Sequence, residues 1–185
     1  MWTRPNTFES LVHIILEQQV SLASALAALN KLKERLNKLS PQALLALSDE
    51  ELKACYFSRQ KTIYVRELAQ ALESKKISLR RFKKMEDEEI RTQLVEIKGI
   101  GNWTVEIYLM FVLQRADIFP PGDLAAMNAL KQIKKLDKES SKEKLLRVTA
   151  KWSPYRTVAT MILWHYYLSV KKKKLKGKKE TDIIP

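Results

Sequence analysis

Apolar residues recur along this chain with the spacing of α-helices. Near the start, an apolar stripe repeats at positions i, i+3, i+4, i+7 and i+8, which is one face of a helix: Phe8, Leu11, Val12, Ile15 and Leu16. The same periodicity predicts later helices over 21–36, 58–74, 86–97, 103–114, 123–134, 142–152 and 154–170. No segment alternates apolar and polar residues as a strand would, so the pattern predicts an all-α fold.

Capping residues mark where several of these helices begin. Ser21 is placed to cap the second helix, and Ser40 before Pro41 has the order of an N-cap followed by the first helical residue. The segment that starts at Ser48 predicts a capping box, because Glu51 can reach back to the backbone of the cap. Short helices are therefore expected after residues 40 and 48.

Three of the four glycines lie between residues 94 and 126, and two of them occur in the segment "IKGIGNW" between two predicted helices. Gly99 and Gly101 permit backbone angles that are closed to other residues and leave no side chain between the turn and a partner. Their amides, together with those of the next helix, would form an anion site. The alternative is an ordinary tight turn between helices.

The charge of the chain favours a polyanionic partner. The net charge is +13 and the isoelectric point is near 9.8, which suits either nucleic acid or an anionic membrane surface. Residues 171–179 hold seven lysines and no acid, so they form either a flexible solubilising tail or an arm that touches phosphates. No run reaches the roughly 18 apolar residues of a membrane span, and no membrane partner is expected.

Metal and disulfide chemistry is limited by the residue types present. Cys55 is the only cysteine, which excludes an internal disulfide and a four-cysteine iron–sulfur cluster and fits a reducing compartment. His13 and His165 have no second ligand at metal-site spacing and are interpreted as core or surface residues.

Three segments, in order, resemble the helix–hairpin–helix DNA glycosylase superfamily, and in particular 3-methyladenine DNA glycosylase II and its relatives. They are "FESLVHIILEQQVSLASA", "GIGNWT" followed by "DIFPPGD", and "KWSPYRTVATMILW". The resemblance implies a two-lobed helical bundle with a helix–hairpin–helix motif and a cleft between the lobes. The resemblance runs in order from about Phe8 to Leu168. Residues 1–170 are therefore assigned to the glycosylase domain and residues 171–185 to a basic, flexible tail. Tyr56 and Phe57 depart from the resemblance, because relatives often have a glycine there.

The resemblance implies that Asp123 is the catalytic aspartate. A carboxylate suits this chemistry, because departure of the base leaves an oxocarbenium-like sugar that a nearby negative charge stabilises. Asp123 is also well placed to cap the helix that follows it, and the two roles are compatible.

Trp103 stands where the endonuclease III-like branch has a nucleophilic lysine, which implies a monofunctional enzyme. Trp103 and Trp164 correspond to an aromatic pocket for positively charged alkylated purines; the alternative is that both belong to the core. Ile107 replaces a tyrosine of a close family member, which leaves the substrate range open.

The remaining site residues are assigned by the same resemblance. Those expected at the DNA are Gly99, Gly101, Thr104, Lys98, Gln18 and Gln19. Gln19 takes the place of a leucine wedge, although both glutamines could instead make hydrogen bonds inside the protein. Arg156 either holds a phosphate or, as favoured here, braces the catalytic loop. The carbonyls of Val95, Ile97 and Gly99 would hold a monovalent cation.

The sequence thus predicts a monomeric, monofunctional DNA-3-methyladenine glycosylase of base excision repair. It would flip alkylated bases out of double-stranded DNA, hydrolyse the N-glycosidic bond and leave an abasic site, with no required cofactor. It is expected in the cytoplasm with the DNA, in a prokaryotic nucleoid or a nucleus. The alternative is a non-catalytic helix–hairpin–helix module that recognises damaged DNA.

Overall fold

Every regular element in the described part of this computed structural model is a helix. The backbone is described for residues 3–181 and the side chains for residues 3–170. The helices are α1 (Phe8–Glu17), α2 (Leu22–Arg35), α3 (Pro41–Leu45), α4 (Asp49–Ala54), α5 (Arg59–Glu73), α6 (Leu79–Phe82), α7 (Asp87–Val95), α8 (Asn102–Phe111), α9 (Leu124–Ile133), α10 (Lys142–Ala150) and α11 (Arg156–Thr181). The predicted all-α class is confirmed.

The chain divides into two compact units after Gln114, with α1 to α8 in the first and α9 to α11 in the second. In the first unit, α1 packs against α2, α5 and α8. The whole predicted stripe of α1 is buried, and Ile14, on another side of the helix, is buried as well. This helix is therefore central to the unit, more so than a single apolar stripe predicts.

The predicted helix caps are confirmed. Ser21 accepts a hydrogen bond from Ser24 N, and Ser40 accepts one from Ala43 N. Ser48 and Glu51 make both bonds of the capping box. The sequence analysis missed α6, because a helix of four residues is too short to show a period.

In the second unit, α9 packs against α11 and α10. Thr157 fastens the loop before α9 to the start of α11: its hydroxyl donates to Arg115 O at 2.6 Å and accepts from Ile118 N at 3.0 Å. Its backbone N–H donates to Ala116 O at 3.0 Å. Both the side chain and the backbone of Thr157 therefore hold the loop that leads to Asp123.

Two sequence-based expectations concern membranes and the tail. Within the described residues, no helix combines the length and the apolar character that crossing a membrane requires. In the predicted flexible basic tail, residues 171–185, the backbone up to residue 181 continues α11, and the side chains lie outside the described residues.

Candidate active site

The turn between α7 and α8 requires glycine at residue 99. Gly99 has φ +91°, in the region that L-residues rarely adopt. A Cβ atom at this position would lie 2.0 Å from Cγ of Tyr64, a side chain of α5. Both the backbone angle and the close approach of the Tyr64 ring therefore exclude a larger residue.

Gly101 is different, and the expectation that both glycines adopt angles closed to other residues is wrong for it. Its φ is −97° and its ψ is 176°, which is ordinary extended backbone. Apart from its neighbours in the chain, no atom lies within 4 Å of a Cβ built there. As the N-cap of α8 it makes no side-chain cap bond, so the start of α8 keeps an open surface of the kind that binds anions.

Gln18 joins the end of α1 to this hairpin. Its side-chain Nε2 donates to Gly99 O at 2.8 Å and to Thr104 Oγ1 at 2.9 Å. Thr104 is 2% exposed, so its side chain belongs to the core. The side-chain amide of Gln18 thus positions the turn, and its predicted contact with DNA stays a prediction.

The other hairpin residues differ in exposure. Lys98 and Gln19 are exposed, Trp103 is half-buried, and Ile107 is buried in the core. Gln19 follows the C-cap of α1 and has φ +57°, an angle outside the right-handed helical region. Lys98 and Gln19 are therefore accessible to a partner, as their predicted roles require.

A partly buried ion pair connects the two helices that flank the turn. Arg91 of α7 donates through Nε and Nη2 to the two carboxylate oxygens of Glu106 on α8, each at 3.1 Å. The hydrogen bonds to Glu106 raise the pKa of Arg91. The pair fixes α7 relative to α8, and the sequence analysis did not identify it because the two residues belong to different helices.

The carbonyl groups proposed for a monovalent cation are partly engaged. Ile97 O accepts from Ile100 N at 3.0 Å, and Gly99 O accepts from Gln18. A carbonyl oxygen has a second lone pair, and backbone carbonyls are ligands that monovalent cations use in proteins. The hydrogen bonds to Ile97 O and Gly99 O are therefore compatible with such an ion. Among the described residues, no group of three or more histidine, cysteine or acidic side chains is arranged to hold a metal.

Asp123 lies at the start of α9 and is held by two N–H donors. Its Oδ1 accepts from Ala126 N at 2.8 Å, which makes Asp123 the N-cap of the helix. The same oxygen accepts from Trp164 Nε1 at 2.9 Å, and Trp164 is 8% exposed. The capping role expected for Asp123 is confirmed, and Trp164 is directed at the carboxylate.

Arg156 braces the loop that leads to Asp123. Its Nε donates to Asp117 Oδ1 at 2.7 Å and its Nη2 to Oδ2 at 2.9 Å, while Ser153 Oγ donates to Oδ2 at 2.8 Å. These contacts, chiefly the Arg156 side chain, lower the pKa of Asp117 to about 2. The Asp117 carboxylate is consequently ionised at neutral pH. Asp117 was not identified from the sequence, although it stands in the same "DIFPPGD" loop.

Neither histidine forms part of a metal site in the described residues. His13 is half-buried beside Glu17, and burial lowers its pKa. His165 is exposed on α11. Both fit the interpretation of core and surface residues.

The sequence of most of the chain matches a known protein family. Residues 12–154 match the model of the HhH-GPD superfamily base excision DNA repair protein. The chain belongs to the HhH-GPD superfamily. This match includes the hairpin and Asp123, and it confirms the family that the three sequence segments indicate.

Members of the HhH-GPD superfamily from yeast and bacteria are similar to the chain. It is 32% identical to DNA-3-methyladenine glycosylase 1 of Schizosaccharomyces pombe, over 85% of this chain and 71% of that protein. The structure of Schizosaccharomyces pombe 3-methyladenine DNA glycosylase (Mag1) in complex with abasic DNA matches with a TM-score of 0.80 and 32% identity, covering 85% of this chain and 78% of that one. The Bacillus subtilis protein YfjP is 34% identical over 67% of this chain, which spans 43% of YfjP.

Proposed function

We propose that this protein is a monofunctional DNA glycosylase that removes alkylated bases from duplex DNA. The observation that carries the proposal is the Asp123 carboxylate, which is held by Ala126 N and Trp164 Nε1 in a member of a base excision repair family. The names of similar proteins, such as DNA-3-methyladenine glycosylase 1, support the substrate class. The enzyme would act as a monomer wherever the cell keeps its DNA.

The proposed reaction breaks the N-glycosidic bond and adds water. The alkylated base leaves with the bonding electrons and becomes neutral, and the sugar becomes an oxocarbenium-like cation. The Asp123 carboxylate stabilises that cation and orients a water, whose oxygen bonds to the anomeric carbon as one of its protons passes to the solvent. Both N–H donors reach Oδ1, so the carboxylate is oriented before the charge develops and need not reorganise during the reaction.

The aromatic residues suit a cationic leaving base. Bases such as 3-methyladenine and 7-methylguanine carry positive charge in DNA, and an electron-rich ring stabilises a cation above its face. We assign Trp103, which is half-buried, to the base pocket. For Trp164 we propose a second role besides the pocket: its indole N–H positions the catalytic carboxylate.

The hairpin would hold the DNA backbone. The amides of Gly99, Gly101 and Thr104 provide the phosphate site, and exposed Lys98 adds a positive charge beside it. A monovalent cation held by the carbonyls of Val95, Ile97 and Gly99 would add positive charge at the same turn. These contacts position the duplex without reading its sequence.

The absence of a lysine on α8, whose sequence is NWTVEIYLMF, supports a monofunctional reaction. Without an amine at Trp103 that could form a Schiff base with the sugar, abasic product should accumulate. The test is to react the protein with an alkylated oligonucleotide in the presence of borohydride and to compare strand breaks before and after alkali. Breaks that appear only after alkali are expected. A borohydride-trapped covalent complex would instead show a lyase, with Lys98 the nearest candidate in sequence.

Trp164→Phe should slow base release although it keeps an aromatic ring. The variant removes the N–H that donates to Asp123, and a hydrogen bond to a charged group contributes ~1.5–3 kcal/mol, or about 10- to 100-fold in rate. The expected loss is in kcat, with KM nearly unchanged. Trp152→Phe is the matched control, because Trp152 lies in the same unit and packs edge-on against Phe119. Equal rates of base release for Trp164→Phe and the unmodified protein would mean that the aromatic ring contributes to the reaction and the indole N–H does not.

A further inference from the structure

Positive charge is concentrated in the second unit, although the hairpin belongs to the first. Residues 1–114 carry a net charge of +3, whereas residues 115–170, about half as many, carry +5. The whole of this +5 comes from residues 131–151, which run from the last turn of α9 to the end of α10 and hold eight cations and three acids. These eight cations form a basic surface, and all except Lys131 are exposed. They are Lys131, Lys134, Lys135, Lys138, Lys142, Lys144, Arg147 and Lys151.

The three acids of this segment do not neutralise the basic surface. In the described part of the chain, none of the eight cations forms an ion pair. The Asp137 carboxylate accepts a hydrogen bond from Glu139 N at 2.8 Å. Glu143 lies in the first turn of α10, where the helix dipole stabilises a negative charge. The exposed cations are therefore left for the negative charge of a partner.

The fold holds the basic surface in place. Two residues on the inner face of α10 are buried. The outer face carries Lys144, Arg147 and Lys151, whose i, i+3 and i+7 spacing puts them side by side. The loop that leads into α10 is fastened to α9, because Lys131 Nζ donates to Lys138 O. The cations are thus presented by an ordered helix and loop.

The outer face of α10 has the dimensions of a short stretch of DNA backbone. Lys144 and Lys151 are seven residues apart, which is about 10 Å along the helix axis. One DNA strand carries a phosphate about every 3.4 Å of the duplex axis, so the three cations span about three phosphates. Between residues 134 and 154 the described chain exposes no large apolar side chain, whereas a surface that binds protein has apolar anchors at its centre. The face therefore fits nucleic acid better than an acidic protein.

The basic surface also lies near the proposed reaction site within the second unit. Asp123 is the N-cap of α9, and Lys131 and Lys134 follow it by eight and eleven residues. These spacings correspond to about 12–17 Å along the helix axis, which equals about four or five base pairs of duplex. A duplex whose damaged sugar lies at Asp123 can place the phosphates of its flank on this surface.

The hairpin leaves a role for such a surface. Its proposed phosphate site consists of backbone N–H groups, which are uncharged, and Lys98 is the one cation assigned to it. The salt dependence of DNA binding comes from counterions that are released when lysine and arginine neutralise phosphates. Most of that dependence must then come from cations outside the hairpin.

We propose that the basic surface binds the phosphate backbone of the duplex that flanks the damaged nucleotide. The inference rests on the proposed function, because that function brings a duplex to Asp123. Lys144, Arg147 and Lys151 would each neutralise a phosphate without reading the base sequence. They would raise the affinity for DNA and take no part in the bond cleavage.

The test measures affinity at several salt concentrations for a duplex with a tetrahydrofuran abasic analogue, which has no base to lose. The combined changes Lys144→Ala, Arg147→Ala and Lys151→Ala, called the α10 variant, should lower the slope of log affinity against log salt by about 2–3, because each phosphate contact contributes about 0.9. The side chains are exposed and alanine favours a helix, so the melting temperature should not fall. The combined changes Lys144→Arg, Arg147→Lys and Lys151→Arg keep the charge and should keep the slope.

A matched control removes the same charge from the first unit. Arg80, Lys83 and Lys84 are also exposed, and residues 86–89, which follow them, are all acidic. These acids repel phosphate, so changing the three cations to alanine should leave the slope within about 0.5 of that of the unmodified protein. An equal loss of slope in the control and in the α10 variant would mean that only net charge matters, which overturns the inference.

A modified duplex locates the contact. Uncharged methylphosphonates replace the phosphates about three to six base pairs to either side of the analogue. On this duplex the slopes of the α10 variant and the unmodified protein should agree within about 0.5, because the contact is absent from both complexes. The inference is also overturned if the α10 variant keeps its full slope on the normal duplex, or if its loss persists on the methylphosphonate duplex. Base release by the unmodified protein is scored separately on methylated DNA, so failure of the proposed function is distinguishable.

Discussion

Replacing Asp123 with asparagine is expected to lower the rate of base release by about 10²–10³, the usual effect of removing one electrostatic stabiliser of a transition state. Asparagine keeps an oxygen that can accept from Ala126 N and Trp164 Nε1. The cap of α9 should therefore persist, and the variant loses chiefly the negative charge. Affinity for DNA should be unchanged or slightly higher, because one charge that repels phosphate is gone.

Single-turnover base release, DNA affinity and thermal unfolding should be measured together for this variant. Asp137→Asn is the matched control, because Asp137 lies in the same unit and its carboxylate also accepts a backbone N–H, that of Glu139. The control should release bases at the normal rate. Near-normal excision by Asp123→Asn would remove Asp123 from the mechanism.

Gly99→Ala is expected to destabilise the protein far more than Gly101→Ala. At Gly99 the substitution combines a left-handed backbone angle with a Cβ only 2.0 Å from the Tyr64 ring, which together cost about 2–5 kcal/mol. For a chain of this size that is a fall in Tm of roughly 5 to 15 °C. Gly101→Ala should leave the Tm unchanged. It should weaken binding to all duplexes by about 5-fold, the scale of one hydrogen bond, because the added methyl group would keep a phosphate away from the backbone N–H groups.

Thermal unfolding and DNA binding of the two variants test this separation. Introducing Gly99→Ala in a Tyr64→Ala background isolates the steric part, because the ring that the new methyl would meet is then absent. The combined variant should be destabilised by less than the sum of the two single changes. Equal melting temperatures for Gly99→Ala and Gly101→Ala would contradict the hairpin geometry.

The fold was largely predictable because its signals are local. The apolar stripe of α1 and the caps at Ser21, Ser40 and Ser48 depend on residues within one or two turns of each other. The central position of α1 was not predictable, because its burial on several sides depends on helices that come later in the chain. A helix as short as α6 carries too few residues for a periodic signal.

The candidate site was predictable as a set of residues and not as a set of contacts. Asp123 follows from the resemblance, but the direction of the Trp164 indole N–H depends on how α9 and α11 pack. The two hairpin glycines look equivalent in sequence, and only the structure separates them, through the positive φ of Gly99 and the position of the Tyr64 ring. The pairing of Arg156 with Asp117 was not predictable either, because the sequence does not show which nearby acidic residue contacts Arg156.

The most direct test of the central claim is to incubate the protein with methylated duplex DNA and identify the free bases that are released. The proposed function predicts free 3-methyladenine and 7-methylguanine, with the DNA retaining abasic sites and unbroken strands until alkali is added. It also predicts that Asp123→Asn, at equal DNA binding, releases them about 10²–10³ more slowly. DNA that is bound by the unmodified protein without release of any base would contradict the claim and identify a non-catalytic DNA-binding module.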